Sequence, residues 1–289
     1  MKIQKSYEKD GKGILYVVPT PIGNLDDITY RALNVLKEAT IIAAEDTRNT
    51  MKLLNHFSIA TPLISYHEHN KRGRGEQLIE RLKKGDSIAL VSDAGMPAIS
   101  DPGYEVVRDA IAQDIKVVVL PGANAALCAL VGSGLPSEHF YFYGFLPRKP
   151  KEKKKELEKL KPLEATLIFY ESPYRVSDTL QDLYSVFGNR NIAVVREISK
   201  MFEEYVRGNL EELIDVYKNK QLKGEFCLVV EGSMEASSEE ELWWQEYSIE
   251  EHVQYYMTEK EITPKEAIKL VATDRKMPKR EVYQIYHQK

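Results

Sequence analysis

Cysteine is nearly missing from this chain. Among 289 residues there are only Cys128 and Cys227, and both sit in apolar runs. Two such residues build neither a disulfide framework nor the paired spacing of a zinc site, so they read as buried free thiols and no metal is expected. Two nucleotide signatures are missing as well. No G-x-G-x-x-G follows an apolar run and no G-x-x-x-x-G-K-[ST] occurs, which argues against a redox dinucleotide or NTP site of the usual kind. No apolar run approaches the ~20 residues that span a bilayer. The polar N-terminal stretch MKIQKSYEKDGKG has no signal-peptide core, so a cytoplasmic protein without a membrane partner is expected. The net charge of -4 creates no global attraction for a polyanion, and only a local basic patch would bind one.

What is present is a globular composition, 43% hydrophobic and 29% charged, with a regular alternation along residues 14–134. Apolar runs at Ile14–Val18, Thr40–Ala44, Pro62–Tyr66, Ser87–Val91 and Lys116–Leu120 read as strands. Amphipathic stretches at Ile28–Ala39, Thr47–Asn55, Gly75–Lys84, Asp101–Gln113 and Asn124–Val131 read as helices. Continuous rather than alternating apolar strands indicate a parallel sheet covered on both faces. Beyond Gly134, strands are expected at Phe140–Phe145, Thr166–Tyr170, Asn191–Val195 and Phe226–Val230. Helices are expected up to about Lys161, near Arg175–Phe187 and at Leu210–Tyr217. The organisation is therefore α/β: a polar tail at 1–13, a parallel domain at 14–134, a second α/β domain at 136–232, an acidic linker at 233–242 and a helical appendage at 243–289. In the appendage, Pro264 and Pro278 suit helix starts.

Five unusual segments follow the five N-terminal strands: Thr20-Pro21-Ile22-Gly23-Asn24, Glu45-Asp46-Thr47-Arg48-Asn49, His67-Glu68-His69-Asn70, Asp93-Ala94-Gly95-Met96-Pro97 and Pro121-Gly122-Ala123-Asn124. In a parallel sheet the carboxyl ends of the strands form one edge, the edge where ligands bind. Tight turns with few fixed charges suit a ligand held through backbone groups. S-adenosylmethionine has those needs: an adenine, a ribose, a zwitterionic tail and a sulfonium that tolerates no nearby cation.

The segments LYVVPTPIGNLDDITYRAL, AEDTRNT, SYHEHN, VSDAGMPAISDPG, LPGANAALCAL, FYGFLPRK, FYESPYRV and VVREISK, in this order over roughly residues 14–232, resemble the ribosomal RNA small subunit methyltransferase I family. These are methyltransferases of the tetrapyrrole-methylase type. The resemblance implies two α/β domains with the donor, S-adenosyl-L-methionine, in the cleft between them, and a homodimer. It also implies methylation of the ribose 2′-hydroxyl of a decoding-region cytidine in 16S rRNA. Tetrapyrrole methylases place a Gly-Asp-Pro turn against the donor. With Pro97 matched to that proline, Gly95 matches the glycine and Met96 stands where the aspartate would be, leaving Asp93 as the candidate for its role. On this register Ala94, Gly95, Met96 and Ile99 line the donor pocket. A Pro-Gly-x-Thr-Ala run places Asn124 and Ala125 there, and Pro21, Glu171 and Phe226 occupy the remaining family positions.

A ribose hydroxyl is a weak nucleophile, so transfer calls for in-line positioning and a proton acceptor. Glu45, Asp46, His67, His69 and Glu197 are the candidates, and a histidine acts near neutral pH without a large shift. Each has a plainer reading. Glu45 and Asp46 brace the loop with Arg48, Arg196 pairs with Glu197, and the histidines lie on a surface loop or touch phosphate. For RNA, the densest basic run is Arg148, Lys149, Lys151, Lys153, Lys154 and Lys155. Lys71, Arg72 and Arg74 form a second cluster, beside Arg48. Interleaved Glu152, Glu156 and Glu158 also fit a solvated helix for 153–161. Arg275, Lys276, Lys279 and Arg280 make the appendage an accessory ribosome contact or a purely structural bundle. Two other functions stay open: methylation of a tetrapyrrole carbon, and a non-catalytic donor-binding module on the ribosome.

Overall fold

The architecture comes from a computed structural model that describes residues 3–6, 8, 11–218, 220–233, 244, 247–275 and 277–287. Residues 1–233 form one compact unit and residues 234–289 a second.

The first sheet contains β1 (Ile14–Val17), β2 (Ile41–Ala44), β3 (Leu63–Ser65), β4 (Ile88–Val91) and β5 (Lys116–Val119), all parallel in the order β3-β2-β4-β1-β5. Both faces are dry, which explains the continuous apolar runs. Leu15, Ala43, Ile88 and Leu90 pack with α3 (Lys71–Lys83) and α4 (Tyr104–Ala112). Ile42, Ala89 and Val91 face the opposite way, toward α1 (Tyr30–Glu38) and α2 (Thr47–His56). The chain leaves β2 toward β3 but leaves its neighbour β4 toward β5, so the connections diverge between β2 and β4. Ligand crevices form at the carboxyl end of such a pair, where the loop after β4 emerges.

The second sheet contains β6 (Phe140–Phe145), β7 (Thr166–Glu171), β8 (Asn191–Arg196), β9 (Glu204–Asn209) and β10 (Phe226–Val230), in the order β6-β7-β10-β8-β9. Only β6 and β7 are parallel; the other pairs are antiparallel. One face carries α6 (Pro150–Leu160), α7 (Val176–Phe187) and α8 (Leu210–Tyr217) through Leu157, Leu180, Leu183 and Leu213. The other is covered by α5 (Ala125–Ser133), whose Ala126, Ala129 and Leu130 meet Ile168, Ala193 and Val229. That helix precedes the expected boundary at residue 134 in sequence yet belongs to the second layer in space.

Several sequence expectations change. The helix expected from Gly75 begins at Lys71. Two glycines cost about 1 kcal/mol each in a helix, and this is outweighed by burial of Leu78, Ile79 and Leu82 and by Lys71, which pairs Glu68 at 2.8 Å and Glu105 at 2.5 Å. The helix expected from Asp101 begins only at Tyr104, because Ala98, Ser100 and Gly103 all adopt positive φ. Strand β9 was not foreseen; its half-exposed edge carries no continuous apolar run. Cys227 is buried, but Cys128 is exposed. Lys153, expected in a basic surface run, is buried and pairs Asp182 at 2.5 Å.

In the second unit, α9 (Ile249–Glu259), α10 (Pro264–Asp274) and α11 (Lys279–His287) share a core of Val253, Ile268, Val271 and Val282. Pro264 is at the first turn of α10 and Pro278 precedes α11. The acidic linker, apart from Ser233, and Lys276 lie outside the described residues. Among the described residues no helix is long and apolar enough to cross a membrane.

Lys153→Ala should lower unfolding free energy by about 1–3 kcal/mol, while exposed Lys154→Ala stays within about 0.5 kcal/mol. Urea denaturation of both variants checks this.

Candidate functional site

The crevice is built from the loops after β1 and β4. Thr20 and Gly95 exchange two backbone hydrogen bonds of 3.0 Å each, a single antiparallel bridge between them. The Thr20 hydroxyl donates to the Ser92 carbonyl, and the Ser92 hydroxyl donates to the Gly95 carbonyl, both at 3.2 Å. Gly95 has φ +78°, and a Cβ there would sit 3.2 Å from Ile22, so the turn requires glycine. Asp93 is braced from α2: its carboxylate accepts from the Asp46 backbone N–H at 3.0 Å and from the Asn49 amide at 3.2 Å.

In front of this turn lies a cavity of about 430 Å³, within the usual range for a small-molecule site. The first layer contributes Ile22, Asp93, Ala94, Met96, Ile99, Asp101, Asn124 and Ala125. The second contributes Phe145, Tyr170, Glu171, Val195, Ile198, Glu225 and Phe226, among others. Phe145 and Tyr170 meet edge to face at 5.7 Å. The lining holds four carboxylic acids, Asp93, Asp101, Glu171 and Glu225, and, among the described residues, no Lys, Arg or His, with Lys200 pairing Glu225 at 3.0 Å from outside the lining. Such a wall favours a cationic ligand.

The two layers are clasped at one end of the cavity. The Asn24 backbone N–H donates to the Ser199 hydroxyl at 3.1 Å, and that hydroxyl donates to Asp27. Gly23 lies against the Lys200 stem so closely that a Cβ would fall 2.2 Å from Lys200 Cγ.

Of the donor-pocket residues expected from the sequence, Asp93, Ala94, Met96, Ile99, Asn124, Ala125, Glu171 and Phe226 line this cavity. Pro21 and Gly95 do not. Gly95 is turned into the bridge with Thr20, and Pro21 lines a neighbouring recess. Asn124 caps α5, accepting from Leu127 N–H at 3.0 Å. Glu171 is buried with its oxygens engaged by Ser172 N–H at 2.8 Å and the Thr179 hydroxyl at 2.7 Å, and it pairs Arg175 at 3.5 Å.

The candidate proton acceptors separate cleanly. None of the five lines the cavity. Asp46 accepts from Arg48 through side chain and backbone, at 2.6, 2.8 and 3.0 Å. These bonds, the guanidinium first, hold its carboxyl down at about 2, so it braces the start of α2. Glu197 accepts from Lys200 at 2.8 Å and from the Glu225 backbone N–H at 2.9 Å. Burial pushes its carboxyl up, but these two bonds outweigh that and leave it below the ordinary range. It ties a loop rather than serving as a base. His67 is half-buried; its Nε2 lies 3.2 Å from the Asn70 amide, and its buried Nδ1 has no hydrogen-bond partner among the described residues. His69 is exposed, with its ring 6.0 Å from that of His67. Glu45 stands behind Asp93 and His67. Burial raises its carboxyl first, and the charge of Asp93 adds to the shift.

The residue that sequence reasoning missed is Asp101. Its Asp-Pro-Gly context reads as a helix start, but the late start of α4 leaves it in the loop, lining the cavity. Burial, then the negative charges of Glu45 and Asp93, push its carboxyl up to about 7, against the opposing Ser92 hydroxyl. The signal available was the sequence Ser100-Asp101-Pro102-Gly103 itself, since a Pro-Gly pair after an aspartate also fits a turn.

The basic residues lie outside the cavity. Arg72, Arg148, Lys149 and Lys151 are exposed. Lys149 pairs Glu152 at 3.0 Å, Arg74 bonds Gln77 at 2.7 Å, and Arg48 remains 86% exposed beside Asp46.

Comparison with known proteins places this geometry. A model of the tetrapyrrole (corrin/porphyrin) methylases matches residues 14–214. The ribosomal RNA small subunit methyltransferase I of Halalkalibacterium halodurans is 57% identical over the whole of both chains, and that of Bacillus subtilis is 56% identical over 96% of each. Among solved structures, a diphthine synthase superposes with a TM-score of 0.59 at 15% identity, covering 76% of this chain and 90% of its own. A uroporphyrin-III C-methyltransferase from Thermus thermophilus, complexed with S-adenosylhomocysteine, superposes with a TM-score of 0.53 at 18% identity, covering 75% and 97%. These two share the fold.

Because the folded-state value of Asp101 lies above its unfolded one, the folded protein holds this proton more tightly. Stability is then lost as pH rises through about 7. Asp101→Asn, which mimics the protonated acid, should raise the melting temperature more at pH 8 than at pH 4. Scanning calorimetry at both pH values tests this, and equal shifts would contradict it.

Proposed function

The chain belongs to the tetrapyrrole methylases and, within them, to the ribosomal RNA small subunit methyltransferase I family, and on that premise we propose that it is a cytoplasmic enzyme that uses S-adenosyl-L-methionine to 2′-O-methylate the ribose of a decoding-region cytidine in 16S rRNA. The observation that carries this reading is a small-molecule cavity whose wall includes Asp93 and Asp101 and, among the described residues, no Lys, Arg or His.

The residues present suit the donor. Apolar Ile22, Ile99, Phe145 and Phe226 offer surfaces for an adenine, and the acids offer a favourable field for a sulfonium. Bound there, S-adenosylmethionine supplies a methyl carbon activated by its positive sulfur. Asp93, fixed by two donors from the α2 region, presents its carboxyl group at the wall. The β1 and β4 loops, locked together, hold the reacting atoms in line. With donor and RNA bound, Asp101 would accept the proton of the 2′-hydroxyl as the methyl group passes to that oxygen, the carbon–sulfur electron pair staying with the donor as a neutral thioether. A carboxyl near 7 is matched to that task at cellular pH, whereas Asp46 and Glu197 are held too acidic by their partners. Exposed Arg72, Arg148, Lys149 and Lys151 supply phosphate contacts on the small ribosomal subunit.

A homodimer fits the same reading. Helix α5 is apolar around most of its circumference (AALCALVGS). It buries Ala126, Ala129 and Leu130 on the second sheet but leaves Leu127 47% and Val131 78% exposed, with Cys128 between them. An apolar helix with one bare face calls for a partner.

Labelled methyl transfer to undermethylated small subunits, with mapping of the product, tests the function. Absence of ribose methylation overturns it. Asp101→Asn should reduce the single-turnover rate by about 10²–10⁴-fold at unchanged donor affinity, and the wild-type rate should rise with pH up to about 7. Val131→Asp should shift the protein to a monomer in analytical ultracentrifugation.

A further inference from the structure

A second recess lies on the other side of Asp93. Pro21 and Leu25 from the loop after β1 and Leu53 from α2 form apolar walls, Asn49 and Lys52 supply polar groups, and Asp93 closes it. Its volume is about 210 Å³, against about 430 Å³ for the donor cavity. Asp93 is the residue whose surface belongs to both. The recess differs in carrying a cation, Lys52, beside its one acid, Asp93. Arg48, four residues before Lys52 and so on the same face of α2, stands 86% exposed.

We propose that this recess receives the base of the nucleotide being methylated, with Lys52 and Arg48 on its flanking phosphates. This rests on the methyltransferase reading above and adds the acceptor subsite to it. Transfer requires donor and acceptor to be neighbours, and the two recesses adjoin at Asp93. The recess is too small for the donor and suits a single flat ring drawn out of its stack between Pro21, Leu25 and Leu53. Asn49 is oriented by its bond to Asp93: the amide nitrogen donates to the Asp93 carboxylate at 3.2 Å, so the carbonyl oxygen remains as an acceptor. An acceptor is what the exocyclic amine of cytosine requires. A ribose attached to that base comes to the Asp93 side of the recess, next to the cavity that Asp101 lines.

The test uses Leu25→Ala and Lys52→Ala in the full chain, because neither residue lines the donor cavity. Methyl transfer to undermethylated small ribosomal subunits is measured beside calorimetric binding of S-adenosylmethionine. Each variant should raise KM for the subunits about tenfold, the size of one lost contact of about 1.4 kcal/mol, with donor affinity and melting temperature unchanged. Lys52→Ala should also lower the salt dependence of KM by about one phosphate contact, and Lys52→Arg should restore it. Transfer with wild-type KM in both Ala variants overturns the proposal, as does a loss of donor affinity that parallels the rise in KM. If the wild-type protein binds S-adenosylmethionine but transfers no methyl group to the subunits, the reading beneath the proposal fails instead.

Discussion

The pairing of Thr20 with Gly95 organises everything around it. Two backbone hydrogen bonds join the loops that follow the neighbouring strands β1 and β4, beside the point where the sheet's connections diverge. A parallel sheet leaves a crevice there whatever its sequence. Closing the back of that crevice with a backbone bridge turns it into a walled cavity. The bridge also sets the orientation of what flanks it. Ile22 lies where a Gly95 side chain would collide, Ser92 is spent on the turn, and Asp93 is turned toward α2, where Asp46 and Asn49 hold it.

Charge is sorted by location. Acids line the cavity, and those that accumulate there disturb one another. Glu45 and Asp101 are partly buried near Asp93, and burial together with neighbouring carboxylates makes the protons of Glu45 and Asp101 harder to lose. Outside, cations on α2, α3 and α6 are exposed or paired with neighbouring acids. The result is a chain of net charge -4 with an anionic interior site and cationic exterior positions. That arrangement suits one cationic and one polyanionic ligand approaching from different sides.

Much of the site was legible before the fold was known. Apolar runs followed by Gly, Pro, Asn and acids mark the carboxyl edge of a parallel sheet, and residues such as Ala94, Met96 and Asn124 line the cavity as their motif implied. Roles were less legible than positions. Asp46 and Glu197 look like bases in a string of letters. In space their oxygens are occupied by Arg48, by Lys200 and by backbone N–H groups. Asp101 looks like a helix start, and the positive φ of Ala98, Ser100 and Gly103 keeps it in a loop instead. Local pattern reports propensity, and these conformations are imposed by packing around the turn.

The strand and helix alternation, the parallel character of the first sheet and the family follow from residue order alone, because hydrophobic period and restricted turn residues are local properties. The tertiary structure alone decided that α5 covers the second sheet, that Lys153 is interior, and that Glu45, Asp93 and Asp101 meet across 56 residues of chain. Those outcomes depend on which surfaces exclude water together. A carboxyl is shifted by charges near it in space, and distance in space is what a linear pattern does not carry.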